Sequence, residues 1–432
     1  MLTKIPDEAA SPRQTFLFLQ GPSSPLFARA AEKLEKLGHR CIRVNLCAGD
    51  WVFWRRPGAF NYRGHPDHWP AFVAALMDRE QVTSIVLLGE ERPHHLVAIA
   101  AAKARNIPVY AVEMGYLRPD WIRIEKGGSG YHSHFPADPE MILRRAAGLP
   151  APDLHPHYTQ TFIADAVYDL LFNLPNVFFW FFYPHYRWHA IFHPLAEYFG
   201  WIGRLLSGRR RAREADEVLG KVVGGSDPYF VMPLQLETDY QIRAYSTFRS
   251  QRDAIRFVVD SFAANADKNA RLLIKVHPLD NGLINWPAEI AACARRHGIA
   301  DRVHFVDGGN LNRMIAPSAG VVTINSTAAM VGLQRGIPVK VLGIAIYDIP
   351  GLTDQAPLDR FWREAKAPDP ELVEAFIRLV AATVHVRGNF YSEAGVEAGA
   401  EGIAQRLHLK TVNEPGGYVA EPQRRRPGEG LS

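Results

Sequence analysis

Three short stretches of this sequence carry residue types that do chemistry. The first runs Glu113-Met114-Gly115-Tyr116-Leu117-Arg118-Pro119-Asp120-Trp121-Ile122-Arg123-Ile124-Glu125, with three acids (Glu113, Asp120, Glu125) and two arginines (Arg118, Arg123) close together. Glu113 closes a strand-like run, and Gly115 and Pro119 interrupt regular backbone, so the stretch reads as a loop. Carboxylates beside guanidinium groups suit a site that holds an acidic sugar by its own carboxylate and acts on its anomeric carbon; a salt-bridged surface loop is the alternative. The second stretch is His277-Pro278. Residues 272–276 (LLIKV) suit a buried strand, and Pro278 cannot donate to a sheet ladder, so the strand stops at His277. That leaves an imidazole at the carboxyl end of a strand, where open α/β sheets bind ligands. The third is Asn325-Ser326-Thr327, between the strand-like run 320–324 and a helix-like run from Ala328. Hydroxyls and backbone N–H groups meet an anion there; helix capping alone accounts for one of the three residues.

These stretches need strands to hold them, and the hydrophobic pattern supplies two sets. Runs 15–20, 41–46, 84–88 and 109–113 predict strands, separated by helices over 26–37, 69–78 and from His95 to about Arg105. Gly38 is a suitable helix stop. A second set follows, with strands over 229–233, 272–276, 303–306, 320–324 and 339–342 and helices over 252–265, 287–297, 311–316 and 328–335. Repeated βα units predict an α/β chain with parallel sheets. The expected domains are 1–155, an aromatic and basic helical segment over 156–225, a second domain over 226–410, and a disordered Pro/Gly/charge-rich tail over 411–432. The loop Gly21-Pro22-Ser23-Ser24 lacks both GxGxxG and GxxxxGK[ST], so it reads as a tight strand–helix turn as readily as a phosphate loop. The loop-like Gly49-Asp50-Trp51-Val52-Phe53-Trp54 either stacks on sugar or lipid or covers a core edge.

The composition narrows the class. The chain has 432 residues, 47% hydrophobic and 22% charged, with a net charge of +4, which fits a globular protein of two domains. Three cysteines (Cys41, Cys47, Cys293) make no disulfide framework and no CxxC spacing, which favours a reducing compartment. His132, His134 and Asp138 have weak metal spacing and read as surface groups. The first residues predict no secretory signal, and the apolar stretch 170–183 is too short for a membrane span. That stretch and its continuation to Trp201 hold many aromatics, Trp180 and Trp188 among them, and lead into Arg204, Arg209, Arg210, Arg211 and Arg213. Interfacial aromatics beside a basic run suit a monotopic membrane contact; an aromatic-rich helical subdomain with a solvated arginine run is the alternative.

The motifs FLFLQGP, GDWVFW, GEERPHH, EMGYLRPDW, KVHP and NSTAAMVGLQRGIPVKVLG, in this order over residues 15–345, resemble the capsule polysaccharide biosynthesis family, in its KpsS-type (LipB-type) branch. The resemblance implies a GT-B-like fold, two Rossmann-like domains facing a cleft with the aromatic and basic helical segment between them. It implies a retaining β-Kdo transferase that takes Kdo from CMP-β-Kdo to a phosphatidylglycerol-type lipid, beginning the poly-Kdo linker of a Gram-negative capsule. Such an enzyme is expected in the cytoplasm, peripheral on the inner membrane through Trp180, Trp188, Arg209, Arg210 and Arg211. Its expected partners are a CMP-sugar donor, a phospholipid acceptor and capsule synthesis or export machinery, with no nucleic acid, no cofactor and no metal. His277 resembles the histidine that contacts the CMP phosphate, and Asn325, Ser326 and Thr327 resemble the phosphate-binding Ser/Thr motif; Pro278 and Gln235 are grouped with them on the donor. Relatives carry Glu-Asp-Gly where this chain has Glu113-Met114-Gly115, so their Asp function is not assigned to position 114; the resemblance implies Glu125, at about the spacing of the relatives' later aspartate, as first candidate nucleophile and Asp120 as second. Glu113 would be base or positioning group, and Arg118 would pair with the sugar carboxylate. Two alternatives remain, another CMP-sugar-dependent transferase and a non-enzymatic capsule export factor.

Overall fold

The computed structural model describes residues 12–188 and 191–426. In chain order its strands are β1 (Thr15–Phe18), β2 (Arg40–Asn45), β3 (Ala59–Asn61), β4 (Ser84–Leu88), β5 (Val109–Met114), β6 (Trp121–Lys126), β7 (Tyr229–Pro233), β8 (Arg271–Lys275), β9 (Val303–Val306), β10 (Gly320–Thr323), β11 (Val339–Val341) and β12 (His385–Arg387). The chain divides into two compact units. The first comprises the described residues of Met1–Phe135, Pro150–His189 and Leu379–Glu421, and the second those of Pro136–Leu149, Ala190–Arg378 and Pro422–Ser432. Each is a Rossmann-like α/β unit, as the motif pattern predicts.

The sheet of the first unit runs β12-β6-β5-β4-β1-β2-β3. Its strands are parallel from β1 to β5, and β6 is antiparallel to both β5 and β12. Side chains of period two send Phe16, Phe18 and Val86 to one face and Leu17, Ile85 and Leu87 to the other, and both faces are core. On the first face lie the helices Leu26–Lys36 and Glu393–His408; the former buries Leu26, Phe27, Ala30, Ala31 and Leu34 at helical spacing. On the second lie Trp69–Arg79 and Pro93–Lys103. The second unit's sheet runs β11-β10-β7-β8-β9, parallel throughout. Its core packs Phe230, Met232, Leu272 and Ile274 against Val258, Phe262, Phe361 and Trp362.

Four expectations change. The tail is ordered over its described part: Val412 and Asn413 are buried, and Asn413 Oδ1 accepts from the Lys126 amide at 2.8 Å. Residues 427–432 lie outside the described residues. The boundary at 410 fails as well, since β12 and the helix Glu393–His408 complete the first unit. The segment 156–225 holds two long helices that divide between the units, Phe162–Phe178 in the first and Pro194–Val222 in the second. The stretch after Cys47 is a short helix, Ala48–Val52, pressed against the helix Phe162–Phe178. Gly49 permits that approach, because a Cβ there would lie 2.5 Å from the Phe172 carbonyl oxygen.

Candidate functional site

The polar stretch 113–125 is a hairpin arm rather than a loop: β5 and β6 pair antiparallel with Glu113 opposite Arg123 and Ala111 opposite Glu125. This register puts Glu113, Arg123 and Glu125 on one face, while Val112, Ile122 and Ile124 turn into the core. Arg123 is 4% exposed, 3.9 Å from Glu113 and 3.6 Å from Glu125. Its guanidinium lies 4.8 Å from the Tyr116 ring centroid and bonds the Tyr116 hydroxyl. Burial alone lowers the Arg123 pKa, but Tyr116, Glu125, Glu113 and Glu90 outweigh it and hold the cation above its ordinary value. Glu90, from the segment after β4, accepts from the Ser129 amide at 2.8 Å and the Ser129 hydroxyl at 2.5 Å. Glu125 accepts from the Ser133 hydroxyl at 2.5 Å. Gly89, at φ +63°, makes room here, since a Cβ on it would stand 2.7 Å from a Glu113 carboxylate oxygen.

The three sequence-chosen acids therefore differ. Glu125 is fully buried, whereas the Glu113 side chain is 25% exposed. Asp120 is 1% exposed and lies outside the hairpin's polar face. Its Oδ2 accepts from the amides of His157 (2.5 Å) and Tyr158 (2.9 Å), and Oδ1 accepts from Asn389 Nδ2 at 3.4 Å. That is the work of a loop anchor. Arg118 is exposed, on the turn between β5 and β6.

A second polar group in this unit lies where the strand order reverses, between the carboxyl ends of β1 and β4. Arg92 Nη1 donates to Gln20 Oε1 at 2.7 Å, and Gln20 Nε2 donates to Asp50 Oδ2 at 3.2 Å. Asp50 is 1% exposed, accepts from Arg43 Nη2 at 2.9 Å and from the Leu46 amide at 2.9 Å. Gln20, Glu90 and Arg92 were not among the site residues read from sequence. Their signal was the motif order, since all three sit just after apolar runs that end a strand.

In the second unit the order reverses between β7 and β10, and the residues following those strands meet. Gln235 Nε2 donates to Asn325 Oδ1 at 2.8 Å, and the Asn325 amide returns a 3.3 Å bond to Gln235 Oε1. Ligands of open α/β sheets bind at this kind of crevice. Ser326 Oγ accepts from the Ala328 amide at 3.2 Å, and Thr327 is half-buried. The following helix has Ala328 as its N-cap, and the Ser326 hydroxyl bonds the turn that leads into it. His277 follows β8, on the far side of β7 from β10. Its Nδ1 accepts from the Leu279 amide at 3.1 Å, which leaves the proton of the neutral ring on Nε2, a donor. Pro278 is exposed. Beneath His277, Lys275 is buried and its pKa is lowered by desolvation, with Asp307 opposing the shift.

The aromatic and basic residues divide by face. In the helix Pro194–Val222, Leu195, Phe199, Ile202 and Leu206 follow a helical stripe and are exposed, Leu206 at 85%. Arg209, Arg210 and Arg213 continue on that side. The opposite side buries Arg204, Ala215 and Val222. Arg211 turns inward: it donates to Asp307 at 3.0 Å and to the Arg204 carbonyl at 2.7 Å, so its expected membrane role is replaced by a structural one. In the first unit Phe178, Phe179, Trp180, Phe181 and Phe182 are all exposed, while Trp188 is half-buried. Among the described residues no helix is long and apolar enough to cross a membrane, and no group of His, Cys, Asp and Glu is arranged to hold a metal ion. His132 instead faces Glu91 at 3.3 Å, and His134 bonds the Val419 carbonyl at 2.7 Å.

Comparison with known proteins gives the following. Residues 83–391 match the family described as capsule polysaccharide biosynthesis protein. The capsule polysaccharide export protein KpsS of Escherichia coli is 32% identical over 383 residues, 87% of this chain and 96% of that one. The capsule polysaccharide modification protein LipB of Neisseria meningitidis serogroup B is 32% identical over 394 residues, 88% of this chain and 92% of that one. Among solved structures, the beta Kdo 2,7 transferase KpsC of Thermosulfurimonas dismutans aligns over 92% of this chain and all of its own, with TM-score 0.45 and 15% identity.

Proposed function

From the premise that the chain belongs to the capsule polysaccharide biosynthesis family, we propose that it is a glycosyltransferase, a retaining β-Kdo transferase using CMP-β-Kdo and a phosphatidylglycerol-type acceptor. The observation that carries this reading is the hairpin face Glu113–Arg123–Glu125, a carboxylate with solvent access backed by a buried cation and a second, buried acid. In a retaining transfer a carboxylate displaces the leaving phosphate from the anomeric carbon. The acceptor hydroxyl then displaces the carboxylate and loses its proton. Exposure favours Glu113 over Glu125 and Asp120 as the attacking group. Glu125 then fixes Arg123, which steadies charge at Glu113. Arg118, exposed on the adjoining turn, pairs with the sugar carboxylate.

In the second unit His277 Nε2–H donates to the phosphate as it leaves, and Ser326 and Thr327 offer hydroxyls to the same group. The side-chain amides are engaged within the protein, Gln235 Nε2 with Asn325 and Asp239 and Asn325 Nδ2 with the Gln241 carbonyl, so these residues shape the crevice rather than bind charge. The exposed stripe Leu195–Phe199–Ile202–Leu206 with Arg209, Arg210 and Arg213, and separately the aromatic run 178–182, suit an anionic membrane surface that carries the acceptor. No metal is invoked.

The test is transfer itself. Purified chain, CMP-Kdo and phosphatidylglycerol vesicles are expected to yield Kdo-bearing lipid by mass spectrometry, and His277→Ala to lower the rate at least about a hundredfold while folding normally. Absence of Kdo transfer alongside transfer from another CMP-sugar would move the assignment to that donor. Absence of any transfer, with capsule export still complemented by His277→Ala, would establish the export reading that the relative's name suggests.

A further inference from the structure

The first unit has a recess of about 460 Å³ at the amino ends of β4 and β5, the opposite end of that sheet from Gln20, Glu90 and Glu113. Its size is that of a small-molecule site. Arg13, Lys126 and Lys410 line it against a single acid, Glu414. Among the described residues no ion pair engages any of the three cations. Glu414 is itself occupied, accepting from the Gly416 amide at 2.9 Å. Gln14 also lines the recess; it is 8% exposed, and its Nε2 has no hydrogen-bond partner among the described residues. That donor is closed off from the surface, so the groups on this wall that attract an anion are the three cations.

The wall is preorganised. Lys126 Nζ stands 5.1 Å from the Tyr418 ring centroid, and that ring stacks on His134 at 4.6 Å. The Lys126 amide is tied to Asn413, in the turn that follows Lys410. Ordering of residues 411–418 against the sheet is therefore what closes the recess.

We propose that this recess is a second ligand site, for a small anion carrying a phosphate or a carboxylate on a sugar-sized body, remote from the hairpin acids. The cations neutralise the oxyanion. The inference stands on different residues from the transfer reaction, so either can fail alone.

The experiment is calorimetric titration of the full-length His277→Ala chain at low salt, with CMP, free Kdo and inorganic phosphate as separate probes. At least one probe is expected to bind. The double variant Lys126→Ala/Lys410→Ala, made in the same background, is expected to weaken that binding at least about tenfold, since two cations leave the site. Arg13→Ala, which removes the third cation, is expected to weaken it several-fold. Binding of CMP or phosphate without Kdo assigns the phosphate form, and Kdo alone the carboxylate form. The proposal is overturned if no probe binds, or if binding persists unchanged in both recess variants with their circular dichroism intact.

Discussion

Replacing Arg123 by methionine is the sharpest perturbation of the hairpin face. The side chain is 4% exposed, and its guanidinium is 3.6 Å from Glu125, which is wholly buried, and 3.9 Å from Glu113. Methionine fills similar apolar volume but removes the guanidinium that stands 3.6 Å from the buried Glu125 carboxylate. Removing one partner of a buried ion pair costs about 3–5 kcal/mol, because the remaining carboxylate is left in low dielectric. Loss of the guanidinium over the Tyr116 ring adds about 0.5–2 kcal/mol. The double variant Arg123→Met/Glu125→Gln removes the stranded charge while the amide still accepts from Ser133. It should therefore be more stable than Arg123→Met by about 2–3 kcal/mol, a coupling that only neighbours show. Native-state hydrogen exchange of the β5 and β6 amides reads this unit without interference from the other. A single-variant cost below about 1 kcal/mol, or additivity of the two substitutions, would refute the claim that Arg123 and Glu125 are held as a charged pair.

Other expectations follow from the same geometry. Asp120→Asn should leave transfer within about threefold of the parent, whereas Asp120→Ala should lose about 2–4 kcal/mol of stability in denaturant, since two backbone N–H groups lose their acceptor; a mass-labelled glycosyl adduct on Asp120 would reverse this. The first unit should weaken as pH falls from about 7 to 5. Burial, and then Arg123 and Arg406, hold the His385 pKa well below 6.5, so the unfolded chain takes up the proton first and stability present above pH 6.5 is lost below it. The slope from this residue is up to about 1.4 kcal/mol per pH unit and should vanish in His385→Gln, measured by urea unfolding across that range. Reversing Arg209 and Arg210 to glutamate should cut binding to phosphatidylglycerol vesicles at least about tenfold in a sedimentation assay. Arg211→Ala should instead lower stability, because Arg211 is bonded to Asp307; equal effects of the two changes on vesicle binding would contradict the division of faces.

Much of the frame was legible in the chain. The strands β4 and β9 begin and end where alternation and flanking Gly or Pro predict, and the strand before Pro278 ends at Lys275, just short of the expected His277. These are local effects: a pyrrolidine without an N–H, a glycine beyond a helix, an apolar run of strand length. His277 at the carboxyl end of a parallel strand followed from them directly.

What the sequence alone left open is every feature made by distant residues. Run 121–126 looked like loop because its charges hide the alternation of Ile122 and Ile124; pairing with β5 and β12 makes it a strand. Asp120 looked like Glu113 and Glu125, and only the amides 37 and 38 residues ahead turned it into an anchor. Arg211 looked like Arg209 and Arg210 until Asp307, 96 residues on, drew it inward. The segment past residue 378 looked like an ending to the second domain and a loose tail, yet β12 and the last long helix return to the first sheet. Composition and period determine which segments are helix and strand. Which of several identical side chains is buried, paired or free to react is decided by long-range packing, whose energies depend on partners that lie far away along the chain.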